Sequence, residues 1–199
     1  MYQFKSLDGL TRAALIALWI HAVSKFLYGG GAAYVGGEYG AATASQVATG
    51  LLALVNLTAL AGSLILVGCW IYRANANAHV LGGDLTITPG WAVGWYFVPF
   101  ANLVKPYTAM KETWLASHFG SNWGAGDATD LLAWWWGLWI VNNIIGNIAW
   151  RLSTAAPAFS GDMDLVNGLI ELPLTWVLVR IMIQIRDAQK ALRHAEVFA

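Results

Sequence analysis

The segment that decides the fold is residues 89–107, PGWAVGWYFVPFANLVKPY, an apolar stretch that ends too early to cross a membrane. Pro99 interrupts it, and Lys105 and Pro106 close it after about 14 apolar residues, whereas a spanning helix needs about 20. Longer apolar segments flank it on both sides. We therefore expect a re-entrant or interfacial hairpin over residues 89–118, at the centre of a membrane protein.

The composition of the 199-residue chain is that of an integral membrane protein. Hydrophobic residues make up 58% and charged residues 11% of the chain, against about 45–50% and 25% in soluble domains. The formal net charge is zero, so the basic field that nucleic-acid binding requires is missing. Cys69 is the only cysteine, which excludes an internal disulfide and a thiolate metal cluster.

Four apolar segments are long enough to cross a membrane as helices. At a rise of 1.5 Å per residue, about 20 residues span a hydrocarbon core of about 30 Å. The connections 29–46 and 151–164 contain Gly, Ser, Thr or Pro, which indicates loops. We predict a single all-α membrane domain, residues 1–199, with a basic helical tail over 186–199. The four predicted transmembrane helices cover residues 10–28, 47–72, 131–150 and 165–185.

The distribution of basic residues decides between four spans and five. If the hairpin enters and leaves on the cytoplasmic side, both termini are cytoplasmic and Arg151 is the only basic residue of the outer loops. A fifth span would move Lys105, Lys111 and the basic tail outside, which the positive-inside rule disfavours. The four-span arrangement places these basic residues inside: Lys5, Arg12, Arg73, Lys105, Lys111, Arg186, Lys190 and Arg193.

Polar residues collect at one depth, in the outer half of the predicted bundle. Lys25 lies near the outer end of the first span and Glu171 near that of the fourth. Charged groups in a membrane are costly and usually pair inside a bundle, so we expect Lys25 and Glu171 to approach each other. The cluster is either a binding site or proton-relay cavity, or a structural ion pair that holds the helices together. It includes a stripe on the third span spaced by four residues, and its members are His21, Lys25, Asn143, Asn147, Arg151 and Glu171.

Residues that suggest cofactor or catalytic chemistry have simpler explanations. His21 has no second histidine at its depth, so no haem or metal site is expected. Trp134, Trp135, Trp136 and Trp139 are typical of an aromatic belt at a membrane interface. The chain has no nucleophile elbow, Walker loop or H-E-x-x-H motif, so no catalytic residue and no cofactor is predicted.

The central segment also resembles a known family. Its motif begins with WIYRA from Trp70, continues with PGWAVGWYFVP from Pro89, and ends with ANLVKPY from Ala101. These residues are similar to the signature of a bacterial membrane family catalogued as domain of unknown function 4328. The resemblance implies a multi-span bacterial membrane protein over most of the chain, and it brings no activity with it. The matching motif positions are Arg73, Trp91, Trp95, Pro99, Asn102, Pro106 and Tyr107.

These observations leave three function classes. The first is an accessory or structural subunit of a bacterial inner-membrane complex, with no activity of its own, because catalytic motifs are scarce and aromatic surface is abundant. The second is a small transporter or channel component that uses the polar cluster, and the third is a membrane enzyme acting on lipid. The expected partners are another membrane protein or a second copy of the chain, and anionic head groups on the cytoplasmic side.

Overall fold

The computed structural model describes residues 2–37, 43–155 and 157–198. Over these ranges the chain is helical and contains no strand, which confirms the predicted all-α class. Three short 3₁₀ helices, Trp95–Phe97, Ala101–Leu103 and Gly120–Ala125, accompany six α-helices. The α-helices are α1 (Asp8–Gly37), α2 (Thr43–Gly82), α3 (Pro89–Gly94), α4 (Lys105–Phe119), α5 (Asp130–Ala155) and α6 (Pro157–Phe198).

Within the described residues, three helical segments are long and apolar enough to cross a membrane: Asp8–Tyr34, Ser45–Gly82 and Gly161–Ala195. They lie in α1, α2 and α6. Helix α5, the predicted third span, has 26 residues and therefore sufficient length. It is not one of the three apolar segments, and five Trp and three Asn interrupt its apolar run.

Two predicted loops are largely helical. Helix α1 continues to Gly37 and α2 begins at Thr43, so the loop prediction is wrong for residues 29–37 and 43–46, which are helical. Residues 38–42 lie outside the described residues. Helix α5 reaches Ala155 and α6 begins at Pro157, so the loop prediction is also wrong for 151–155 and 157–164, while residue 156 lies outside the described residues. The Gly, Ser and Thr content that suggested loops has a different physical cause.

Glycines in α1 and α6 allow the two helix backbones to approach each other closely. A Cβ on Gly29 would lie 2.6 Å from the backbone oxygen of Asp164, and one on Gly161 would lie 2.6 Å from that of Ala32. A Cβ on Gly168 would lie 2.8 Å from the Cα of Phe26 in α1. Small residues at such contacts are typical of membrane helix pairs, so these glycines are packing residues and not turn residues.

The chain divides into two compact units. Unit 1 comprises Met1–Ala14, Ile65–Trp136 and Leu178–Ala199. Unit 2 comprises Leu15–Leu64 and Gly137–Val177.

Unit 1 has a polar core that the sequence analysis missed. Residues 74–80 follow the predicted second span, and Asn75 and Asn77 of this stretch are completely buried. Asn77 donates from Nδ2 to the Lys5 carbonyl and to Gln189 Oε1, both at 2.8 Å. Gln189 in turn donates from Nε2 to the Ala74 carbonyl at 2.9 Å. The predicted basic tail is therefore packed into unit 1 on the side of α6 that carries Gln189.

The central segment of unit 1 is broken into short helical pieces. Pro89 starts α3 and Pro106 lies in the first turn of α4, positions where proline costs no intrahelical hydrogen bond. Between them Phe100 adopts a φ of 62°, an unfavourable conformation for a bulky residue. Phe97 and Phe100 are 82% and 86% exposed, so the segment presents an apolar tip.

The tryptophans of α5 differ from the predicted interfacial belt. Trp134 is 67% exposed, but Trp135 and Trp136 are buried in unit 1. Trp136 donates from Nε1 to the Leu103 carbonyl at 3.0 Å. The belt assignment is therefore wrong for Trp135 and Trp136, because they form part of the core that supports the central segment.

Candidate intramembrane polar site

The candidate site lies in unit 2 and is built around one ion pair. Lys25 of α1 and Glu171 of α6 meet with Nζ and Oε2 at 2.8 Å. The Lys25 side chain is 22% exposed and that of Glu171 10% exposed. Both residues lie within segments apolar enough to cross a membrane, where an unpaired charge would be costly.

Three further residues, Asn142, His21 and Asn56, extend the polar network around the Lys25–Glu171 pair. Asn142 of α5 donates from Nδ2 to the same Oε2 at 2.8 Å, so this oxygen accepts two short hydrogen bonds. His21 places Nε2 at 3.9 Å from the other oxygen, Oε1. Asn56 of α2 donates to Ser24 Oγ at 3.2 Å, and its Nδ2 lies 3.4 Å from His21 Nδ1. Side chains from α1, α2, α5 and α6 thus form one connected polar network.

Asn142 is the direct partner of Glu171 that the sequence analysis did not select. Its carbonyl oxygen accepts a hydrogen bond from Asn167 Nδ2 at 2.8 Å, and a Cβ on Gly146 would lie 3.2 Å from that same Nδ2. Asn142, Gly146 and the buried Ala149 are spaced by four and three residues, which places them on one helix face. A search for small residues at this spacing would have identified the inward face of α5.

The predicted stripe on α5 lies beside the ion pair instead of contacting it. Asn143 donates from Nδ2 to the Trp139 carbonyl and Asn147 to the Asn143 carbonyl, each at 2.8 Å. Each side chain uses one of its two amide N–H groups on its own helix, which leaves the side-chain oxygen as an acceptor and the second N–H as a donor. Arg151, the last member of the stripe, is exposed.

An open cleft of about 250 Å³ adjoins the pair. Lys25 is its cationic member, and the Lys25 ammonium still has two N–H donors after its bond to Glu171. The side-chain oxygen of Asn142 is buried and has no hydrogen-bond partner. The cleft is therefore bordered by both donors and acceptors, and its lining is Lys25, Asn142, Asn143, Gly146, Asn147, Trp150 and Asn167.

The site is suited to hydrogen bonding and charge compensation and not to metal ligation. No group of three or more His, Cys, Asp or Glu in the described parts of the chain is arranged to hold a metal ion. His21 and Glu171 are the two such residues in the network, and Lys25 already occupies the carboxylate. The chemistry available here is recognition of a polar group by an ammonium, amides and amide carbonyls.

The residues of the family motif lie in unit 1. Trp91 and Trp95 stack with ring centroids 4.5 Å apart, and Lys105 Nζ lies 5.9 Å from the Trp95 ring. Tyr107 packs against Trp136 at 6.4 Å between ring centroids. The motif therefore shapes the broken central segment and contributes no side chain to the polar site.

An all-helical chain with three membrane-length apolar helices and an ion pair between two of them has the features of an integral membrane protein. It belongs to the family described as domain of unknown function (DUF4328), which matches residues 35–187. This match confirms the resemblance seen in the motif. No curated protein and no solved structure matches the chain.

Proposed function

We propose that the chain is a bacterial inner-membrane protein with four spans, both termini in the cytoplasm, and a re-entrant or interfacial hairpin over residues 89–118. The length of α5 and the basic residues near both termini support this topology. The exposed Phe97 and Phe100 support insertion of the hairpin tip into the membrane.

Cysteine labelling tests this topology. The exposed Cys69 is first replaced by serine, and single cysteines are then introduced as Gly90→Cys or Thr108→Cys, at the two ends of the broken segment. A Cβ at position 90 meets nothing within 4 Å, so the first substitution is tolerated. Both sites should react with a membrane-impermeant maleimide from the cytoplasmic side. Labelling from opposite sides would establish a fifth span.

For the activity, we propose that unit 2 binds a small polar solute beside the Lys25–Glu171 pair, as a transporter or channel component without catalytic activity. The observation that carries this proposal is the open cleft of about 250 Å³ next to a charged residue of a membrane helix. From sequence alone an accessory role ranks first, because catalytic motifs are scarce and aromatic surface is abundant. A purely structural ion pair, however, needs no opening beside it. The cleft reverses that order.

The chemistry of the cleft indicates the class of solute. Lys25 offers two N–H donors, while Asn143 and Asn147 offer carbonyl oxygens. A solute that carries both an acceptor group and a donor group, such as a small zwitterion or a polyol, satisfies both sides. The cleft offers about 250 Å³ for such a group.

Osmotic swelling of proteoliposomes, with glycine and glycerol as the probes, tests the activity. At least one probe should enter faster than into empty liposomes, and Asn147→Leu should slow entry without lowering the melting temperature. Thr58→Val is the matched control, since Thr58 is an exposed polar residue of unit 2 that does not line the cleft. Equal entry through wild type and Asn147→Leu would refute the proposal, as would no entry of either probe.

A second candidate, the accessory subunit, is supported by helix α2. Most of its apolar residues are not buried, and Leu57 and Leu64 are 63% and 64% exposed on one face, seven residues apart. If this face packs against one membrane partner, Leu57→Trp with Leu64→Trp should abolish stoichiometric co-purification of that partner. Ile16→Trp with Ile20→Trp, on exposed positions of α1, is the control. Unchanged co-purification, or none in wild type, would show that the α2 face contacts only lipid.

A further inference from the structure

A groove of about 650 Å³ in unit 1 carries two basic side chains and has no assigned role. It lies between the N-terminal segment, one face of α2 and Val93 of α3. We name it the Arg73 groove, and it is lined by Tyr2, Gln3, Lys5, Gly68, Cys69, Tyr72, Arg73, Ala76, Asn77 and Val93.

The cations of the groove meet no carboxylate in the part of the chain that the structure describes. Among the described residues, neither Lys5 nor Arg73 forms an ion pair, and no acid lines the groove. The Arg73 side chain makes one long hydrogen bond, from Nη1 to the Ser6 carbonyl at 3.4 Å. Two uncompensated cations that share a concave surface are suited to an anion such as a phosphate group.

The position of Lys5 is fixed by the buried core. Asn77 accepts from the Lys5 backbone N–H at 2.9 Å and donates to the Lys5 carbonyl at 2.8 Å. Asn77 is itself fully buried and bonded to Gln189. The Asn77 side chain therefore holds the backbone of the N-terminal segment against α2. This fixes the backbone position from which the Lys5 side chain extends in the groove that it shares with Arg73.

Along α2 the groove changes from apolar to cationic. Gly68 lies five residues before Arg73, a rise of about 7.5 Å, and faces Val93, whose Cγ1 would be 3.8 Å from a Cβ on Gly68. The exposed Tyr72 and Tyr2 border the cationic end, as is typical of residues at the head-group level. Free phosphate would use the cations alone, whereas a phospholipid would use both ends.

We infer that the Arg73 groove binds an anionic phospholipid, with the head-group phosphate between Lys5 and Arg73 and an acyl chain beside Gly68 and Val93. This site is independent of the solute cleft in unit 2. A second cavity of unit 1 is also lined by basic side chains, Arg186 and Lys190. Its cations differ from those of the Arg73 groove because they already lie 3.9 and 3.8 Å from the Asp8 carboxylate.

Native mass spectrometry of the full chain in mild detergent tests the inference, with phosphatidylglycerol and phosphatidylcholine added in equal amounts. Phosphatidylglycerol should be retained preferentially. Arg73→Gln and Lys5→Gln should each weaken its binding about fivefold, the effect of one basic residue near an anionic head group. Lys190→Gln should leave it unchanged.

Gly68→Leu distinguishes the lipid from free phosphate. The new side chain occupies the apolar end without contacting either cation, so it should weaken phosphatidylglycerol binding while inorganic phosphate is unaffected. Equal retention of the two lipids, full binding by Arg73→Gln, or a phosphate-only site insensitive to Gly68→Leu would each overturn the inference. The melting temperature of every variant is compared with that of wild type, and the phosphatidylglycerol preference is read only from folded protein.

Discussion

Breaking the Lys25–Glu171 pair from one side should cost more than removing it entirely. At 2.8 Å and an effective dielectric constant of about 20, two unit charges attract each other by about 6 kcal/mol. Removing both ions from water costs several kcal/mol each, so the intact pair is close to neutral relative to apolar residues. A single substitution loses the attraction and leaves one charge in place.

The two single variants should differ, because the two side chains differ in exposure. Lys25→Met leaves the Glu171 carboxylate, 10% exposed, with Asn142 as its short hydrogen-bond donor, and should cost about 3 kcal/mol. Glu171→Gln leaves Lys25, which is 22% exposed and borders the open cleft, and should cost about 1–2 kcal/mol. The double variant should recover most of the loss.

Equilibrium unfolding of the purified protein in mixed detergent micelles measures these three values. With a double variant that costs about 1 kcal/mol, the double-mutant cycle should give a coupling energy of about 3–4 kcal/mol between the two positions. Thr58→Val serves as the control, since exposed substitutions usually change stability by less than about 0.5 kcal/mol. Additive costs in the double variant would show that the two charges do not stabilise each other, and the electrostatic argument would fail.

Three further predictions concern packing, the polar core and pH. Gly29→Ala should destabilise the protein by about 2 kcal/mol through its contact with the Asp164 backbone, while the adjacent Gly30→Ala, with nothing within 4 Å, should be neutral or slightly stabilising in thermal unfolding. Gln189→Leu should cost about 3 kcal/mol in the same measurement, because it removes three buried hydrogen bonds, those of Gln189 with Asn77, the Ala74 carbonyl and Ser117, and the exposed Lys190→Gln should change little. Burial lowers the pKa of His118 from its usual 6.5, although its hydrogen bond to the Trp114 carbonyl acts in the opposite direction. The unfolded chain therefore binds the proton first, so stability should be complete above pH 6.5 and fall as pH decreases below it, and His118→Gln should reduce that slope.

The sequence predicts well those features that depend on the cost of placing a group in a membrane. The helical class and three of the four expected spans have the length and hydropathy expected of transmembrane helices. The approach of Lys25 to Glu171 follows from the same reasoning, because two opposite charges at one depth have few alternatives to pairing.

Features that depend on helix rotation or on close backbone contact are not predictable in this way. Asn142 and Asn143 are adjacent in sequence and equally polar, yet they differ by about 100° around α5, and packing against Asn167 selects Asn142. In the same way, Gly29 and Gly30 have the same composition signal, but Gly29 alone lies against the α6 backbone. Hydropathy carries no information about either choice.

Two amide side chains of unit 2 differ from those in the core of unit 1, and this contrast supports a binding role for the cleft. In unit 1, Asn77 and Gln189 close on protein partners and are buried. In unit 2, Asn143 and Asn147 turn their donors back onto α5 and are exposed to a cleft beside a lysine. If Asn143 and Asn147 served only to fix helices, they should bond to neighbouring helices, as Asn142 and Asn167 do. The polar solute that we propose for the cleft would complete their hydrogen bonds, and loss of solute entry in Asn147→Leu at unchanged stability would separate the two uses.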